Sequence, residues 1–156
     1  MPTDDYAELK LENQLCFPLY AASREITRAY TPLLEPLDLT YTQYLVMLYL
    51  WERELSCPGP NCQKVTELGK ILMLDSGTLT PLLKKLELKG YITRTRDEQD
   101  ERGLNLALTK KGQKLKDKAQ PIPGKIARKL NITEKEAINL YRIAYKIINN
   151  LSKEEQ

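Results

Sequence analysis

Histidine is absent from all 156 residues of the chain. Nucleophilic catalysis of the Ser-His-Asp or Cys-His kind is therefore excluded, and any zinc site would have to complete three cysteines with a carboxylate or water. No run approaches the roughly 18 consecutive apolar residues of a membrane-spanning helix. Residues 1–11 alternate acidic, polar and apolar side chains and lack the basic stretch and apolar core of a secretion signal. Cysteine is scarce and odd in number, three in all. That suits free thiols in a reducing compartment better than a disulfide framework. The absences together lead us to expect a soluble, cytoplasmic protein that is not an enzyme, carries no cofactor or metal and has no membrane partner.

Hydrophobic residues make up 42% of the chain and charged residues 29%, enough for one packed domain with a solvated surface. The net charge of +3 permits nucleic-acid binding without arguing for it, so placement of charge matters more than its total. Apolar residues at helical spacing (Leu11, Leu15, Leu19, Ala22, Ile26 and Ala29) predict a long helix over 10–30, which Pro32 and Pro36 would break. Thr40 is positioned to cap a second helix running to about residue 51, with Tyr44, Leu45, Leu48 and Trp51 inward. Two prolines and a glycine make 56–62 a loop.

A short helix is expected over 65–72, a turn over 74–77, and another helix over 78–89 with Leu79, Leu82, Leu83 and Leu86 on one face. Gly90 stands where a helix-ending glycine belongs. Strands over 91–94 and 104–109 flank a charged hairpin tip at 97–102. A helix over 110–130 should bend at Pro121 and Pro123. Thr133 and Glu136 form a capping-box pair that opens the last helix, through Leu140, Ile143, Ile147 and Leu151.

Helix, tight turn, helix and then a charged hairpin is the plan of a winged helix-turn-helix that binds double-stranded DNA. The second helix offers Ser76, Thr78 and Thr80 near its start and Lys84 and Lys85 further along, suited to phosphates and base edges in the major groove. Between residues 84 and 102 there are six basic and five acidic side chains, so net charge alone decides little. Arg94 and Arg96 lie on the rising strand. Arg102 follows the acidic tip, where it can reach a narrow minor groove with Asp100 as its brace. A plain solvated turn is the alternative for 97–102.

Leu74-Asp75-Ser76-Gly77-Thr78-Leu79-Thr80-Pro81 with Gly90-Tyr91-Ile92 resembles the recognition helix of MarR-family repressors. Asp100-Glu101-Arg102 with Leu108-Thr109 and Gly112 resembles their wing. The likeness spans nearly the whole chain. It implies a mainly α protein with a small β-hairpin wing, whose terminal helices (8–38 and 110–154) interleave in a homodimer around a DNA-binding region at 40–109. It also implies operator DNA as partner, Arg102 as the minor-groove arginine and Asp100 as its support.

Cys16 is expected midway along the first helix, beside the apolar stripe. By itself that fits a buried structural thiol. Tyr30 and Tyr41 could each donate a hydrogen bond to a thiolate and lower its pKa. Cys16 and Tyr30 are separated by about 21 Å along one straight helix, however, so contact requires a fold-back or a partner subunit. Leu11-Glu12-Asn13-Gln14-Leu15-Cys16-Phe17, followed by Tyr20, Tyr30 and Tyr41, resembles the OhrR subgroup of that family, the organic hydroperoxide sensors. The resemblance implies that Cys16 is the peroxide-reactive thiol and that Tyr30 and Tyr41 bond to it across the dimer, with Tyr20 in the thiol pocket. Organic hydroperoxide would be the signal. Some members of that subgroup carry a second, resolving cysteine in the C-terminal helices; with none after Cys62, this chain resembles the one-cysteine type, which implies resolution by a low-molecular-weight thiol. Cys57 and Cys62 are open to three readings: a local disulfide, a soft-metal clip or idle thiols. The competing functional reading is a regulator released by a small phenolic or aromatic ligand, with Cys16 incidental.

Overall fold

The computed structural model describes residues 6–56, 63–96 and 103–152. Cys57, Cys62 and the hairpin tip at 97–102, with Asp100 and Arg102, lie outside them. The described residues are mainly helical, with one two-stranded sheet.

The first helix differs from expectation at both ends. Two 3-10 turns, Ala7–Leu9 and Leu11–Asn13, precede α1 (Cys16–Leu34), so the helix opens at Cys16 rather than near residue 10. Side-chain amides hold the earlier segment out of it: Asn13 Nδ2 donates to the Ala7 carbonyl at 2.7 Å and Gln14 Nε2 donates to the Glu8 carbonyl, an alternative to helix hydrogen bonds. Pro18 reinforces the choice. In a helix begun at residue 10 it would sit in the interior, clash with the preceding turn and orphan the Gln14 carbonyl; near the start of α1 its missing N–H costs nothing. Pro32 does not end the helix at once: α1 continues two residues past it to Leu34.

Helix α2 (Tyr41–Ser56) is capped reciprocally. The Gln43 amide donates to Thr40 Oγ1 at 3.4 Å and the Thr40 amide donates to Gln43 Oε1 at 3.1 Å. Tyr44, Val46, Met47, Leu50 and Trp51 are buried in the core, whereas Leu48 is exposed. Leu48 follows Met47 by one residue, about 100° round the helix and off the core stripe.

Helix α3 (Val65–Leu72) and α4 (Ser76–Leu88) form the helix-turn-helix. Leu79, Leu82, Leu83 and Leu86 of α4 are all buried. Gly90, at φ 72°, closes α4: its amide donates to the Glu87 carbonyl at 2.8 Å and the Tyr91 amide to the Leu86 carbonyl at 3.0 Å, a Schellman end that favours glycine. Strands β1 (Ile92–Arg96) and β2 (Leu104–Leu108) pair antiparallel, with Ile92 opposite Leu108 and Arg96 opposite Leu104. Helix α5 (Lys110–Ala119) follows at once, capped by Thr109, whose Oγ1 accepts from the Gly112 amide at 3.0 Å.

Residues 1–120 form one compact unit and 121–156 a second. In the second, α6 (Ile122–Leu130) and α7 (Glu134–Leu151) are joined through Asn131 in the left-handed conformation. The expected bend near Pro121 is a break between α5 and α6. Thr133 and Glu136 form the anticipated capping box. Leu140, Tyr141, Ile143, Tyr145 and Leu151 of α7 are exposed. So are Leu11, Leu15 and Leu19 at the other end of the chain: the apolar stripe the sequence predicts is uncovered in a single chain.

Candidate nucleic-acid interface and thiol site

With four leucines facing the core, α4 turns a polar face outward. Ser76, Thr80 and Lys84 form one exposed row and Thr78 and Lys85 a second, running up the two sides of that face at about 100° per residue. The N-terminus is fixed by Asp75, whose carboxylate accepts from the Thr78 amide at 2.9 Å and from Thr78 Oγ1 at 2.8 Å. These bonds hold the Asp75 carboxyl below its ordinary pKa. The Thr78 proton is therefore committed, and toward a ligand that hydroxyl can only accept.

Arg94 sits differently from Arg96. Its guanidinium donates from Nε at 2.8 Å and from Nη2 at 2.5 Å to Glu87 Oε2, tying β1 to the last turn of α4. Arg96, at the end of β1, is exposed. Arg94 thus links α4 to the hairpin through Glu87. Its hydrogen bonds hold the Glu87 carboxyl below its usual pKa. Glu87 therefore stays ionised to lower pH in the folded chain than in the unfolded one. The pair adds stability above the ordinary glutamate value, about 4.3, and that stability is lost as the pH falls through the depressed folded value. Glu87→Gln should lower the melting temperature at pH 7, with the difference from the unsubstituted protein narrowing below about pH 4; thermal melts across that range check it.

Cys16 is the first residue of α1 and is exposed, not midway along a helix and not buried. One unbroken helix carries both Cys16 and Tyr30, so within one chain they stand about 21 Å apart. Tyr30 and Tyr41 are brought together, with ring centroids 4.9 Å apart. Tyr44, which the sequence marks only as core, joins them at 5.8 Å from Tyr30. Burial raises the pKa of Tyr30, with a smaller push from Tyr41, and burial likewise raises that of Tyr41. The direction of both shifts agrees with the protonated, hydrogen-bond-donating form that a tyrosine ordinarily has at neutral pH. Tyr20 is exposed one turn beyond Cys16 and accepts a hydrogen bond from Arg24 Nη1 at 3.0 Å. The described residues contain no cluster of metal-ligating side chains, and among them no helix is long and apolar enough to cross a membrane.

Sequence comparison places residues 28–119 within the pattern of the transcriptional regulators SarA/Rot. The chain is 53% identical over 121 residues to an organic hydroperoxide resistance transcriptional regulator of Bacillus subtilis, covering 78% of each. It is 44% identical over 141 residues to the HTH-type transcriptional regulator SarZ of Staphylococcus aureus, covering 90% of this chain and 86% of that one. Among solved structures, reduced AbfR bound to DNA superposes with a TM-score of 0.73 at 33% identity, over 93% of this chain and 96% of that one; AbfR is from Staphylococcus epidermidis. A mutant MarR from E. coli complexed with operator DNA gives 0.71 at 26% identity, over 85% of this chain and 92% of that one.

Proposed function

The chain belongs to the SarA/Rot transcriptional regulators, within the MarR-type winged-helix proteins, and we propose that it is a repressor that holds operator DNA as a homodimer and releases it when organic hydroperoxide oxidises Cys16. The observation that carries the redox part is the Tyr30–Tyr41 pair. Two adjacent phenols, protonated at neutral pH as an ordinary tyrosine is, are donors suited to an anion. An exposed thiol opens α1, the helix that carries Tyr30, about 21 Å from it. A second copy supplies the missing half: 8–38 and 110–154 interleave with their counterparts, cover the exposed leucines of both ends, and bring Cys16 of one subunit to the tyrosines of the other. Tyr20 closes the thiol pocket. The 53% identical relative, named for organic hydroperoxide resistance, points to the same signal.

The chemistry then balances with the thiol, the peroxide and a small thiol alone. The Cys16 thiolate attacks the distal peroxide oxygen, the O–O bond breaks, sulfur is oxidised by two electrons to sulfenic acid, and the alkoxide leaves as alcohol after taking up a proton. A low-molecular-weight thiol displaces water from the sulfenic acid and leaves a mixed disulfide. The tyrosine hydrogen bonds are lost, bulk is added at the interface, and the two recognition helices lose the spacing that lets both half-sites be gripped at once. Ser76, Thr78, Thr80, Lys84 and Lys85 meet the major groove, with Arg96, Arg102 and its support Asp100 on the wing side and Arg94 bracing from behind.

Selection of duplexes from a random pool by the reduced protein tests the DNA half. A two-fold repeat with half-sites about one helical turn apart is expected, and a pool that never enriches would remove the reading. For the thiol half, Tyr30→Phe removes one donor to the thiolate. Oxidation by cumene hydroperoxide should slow by about tenfold, the scale of one hydrogen bond to a charged group, as measured by stopped-flow loss of free thiol.

A further inference from the structure

We infer that Trp51 is a positioning residue that relays the state of the Tyr30–Tyr41 pair to the recognition helix through its hydrogen bond to Gly112. This rests on the reading of Cys16 as sensor, and it adds the route by which the sensor reaches the DNA-binding elements.

The rings form a continuous file. From Tyr30 and Tyr41 it passes to Tyr44, then to Trp51, whose ring centroid lies 6.4 Å from that of Tyr44 at 68°. Tyr41, Tyr44 and Trp51 all stand on α2, a rigid element along which a tilt at one end moves the other. Tyr44 and Trp51 are buried, so a displaced ring has no solvent to relax into and must move its neighbour.

The file ends on a polar contact. Trp51 Nε1 donates to the Gly112 carbonyl at 3.0 Å, a buried bond between residues 61 apart in sequence. Gly112 lies in the first turn of α5, just after the hairpin, and from there the network turns back to α4. The Gly112 amide donates to Thr109 Oγ1 at 3.0 Å. Thr109 Oγ1 in turn lies 2.6 Å from the Gly90 carbonyl, and the Thr109 amide donates to the Tyr91 carbonyl at 3.0 Å. Gly90 and Tyr91 are the residues whose amides close α4. Packing leaves no slack at the junction, since even a Cβ on Gly112 would lie 2.1 Å from the Tyr91 carbonyl oxygen. A shift of Trp51 is thus passed to the C-terminal end of the recognition helix and the base of the wing together.

Trp51→Phe keeps an aromatic ring beside Tyr44 and deletes the N–H. The reduced variant should bind the selected duplex within about threefold of the unsubstituted protein, while the ratio of oxidised to reduced Kd shrinks by about tenfold, the scale of one buried hydrogen bond. A packing role would instead raise both Kd values and lower Tm with the ratio intact, and an intact ratio overturns the inference. The chain has a single tryptophan, so global replacement by 5-fluorotryptophan touches this position alone and keeps the N–H; it should retain the full ratio, and losing it would refute the hydrogen-bond argument. The same uniqueness makes the indole its own reporter in the unsubstituted protein. Its emission should shift on adding hydroperoxide and stay fixed in Cys16→Ser, and an emission blind to oxidation overturns the relay even if Trp51→Phe does not fold. The two readings fail separately. Release that survives Cys16→Ser sinks the sensor. DNA held by Cys16→Ser but fully released by oxidised Trp51→Phe sinks only the relay.

Discussion

Cys16→Ser should hold its DNA through a hydroperoxide dose that releases the unsubstituted protein completely, which makes this substitution the largest functional effect expected of any single change. Serine places a hydroxyl where the thiol stood, so the exposed start of α1 loses little packing. In the proposed dimer the hydroxyl can still accept from the partner's tyrosines, and reduced-state affinity should move only a few-fold. What it cannot do is ionise near neutral pH or take up the peroxide oxygen, so the chemical step that begins the oxidation ladder is removed outright. The measurement is anisotropy of a labelled selected duplex before and after one equivalent of cumene hydroperoxide with a small thiol, at about 0.1–0.2 M salt, where non-specific phosphate contacts are weak. Mass spectrometry on the same samples reports whether Cys16 or one of Cys57 and Cys62 is capped. Release undiminished in the serine variant would favour the competing reading, a small phenolic or aromatic effector with Cys16 incidental.

The largest stability effect belongs to Gly112→Ala. An added Cβ would stand 2.1 Å from the Tyr91 carbonyl oxygen, 3.0 Å from its carbon and 3.2 Å from Leu108 Cδ2. The first two are backbone atoms and cannot rotate away. The Tyr91 carbonyl is fixed by the Thr109 amide, and the Tyr91 ring is anchored by its hydroxyl, which donates to the Leu37 carbonyl at 2.9 Å. Relief requires α5 to lift from the hairpin, which would also stretch the Trp51 bond. Overpacking against immovable backbone should cost about 3 kcal/mol or more, a Tm fall of roughly 6–12 °C for a chain of this size. Gly124→Ala is the internal control. Nothing lies within 4 Å of a Cβ there, and in α6 alanine should hold Tm level or raise it slightly, since glycine is the poorer helix former. Equal melting of the two variants would show the junction to be softer than its distances state.

Much of the fold is legible in the chain because its signals are local. The bounds of α3, the leucine face of α4, the glycine that ends it and the Thr133–Glu136 capping box each depend on residues within a turn or two of one another. One local signal is available and outweighed: Pro18 argues against a helix begun near residue 10, but the spacing of Leu11, Leu15 and Leu19 implies continuity across it. Spacing alone places Leu48 inward, and only the direction of the core, set by α4 and the hairpin, shows it turned away. The candidate site is legible by residue type and less so by role. Arg94 reads from sequence as a cation available to DNA, and the fold adds a partner that spacing does not reveal, the Glu87 carboxylate. Tyr44 and Trp51 read as core until their rings are seen to continue the tyrosine pair toward Gly112.

By itself the sequence determined that this is a histidine-free, mainly helical chain with a helix-turn-helix and a hairpin, and that a thiol and three tyrosines near its start form a unit of interest. Periodicity, caps and composition act over a few residues and are written in order along the chain. Only the tertiary structure decided that Tyr30 and Tyr41 touch, that Cys16 is exposed at the very start of α1, and that Trp51 closes on a carbonyl 61 residues away. Those pairings depend on how distant elements pack, and no local preference encodes that.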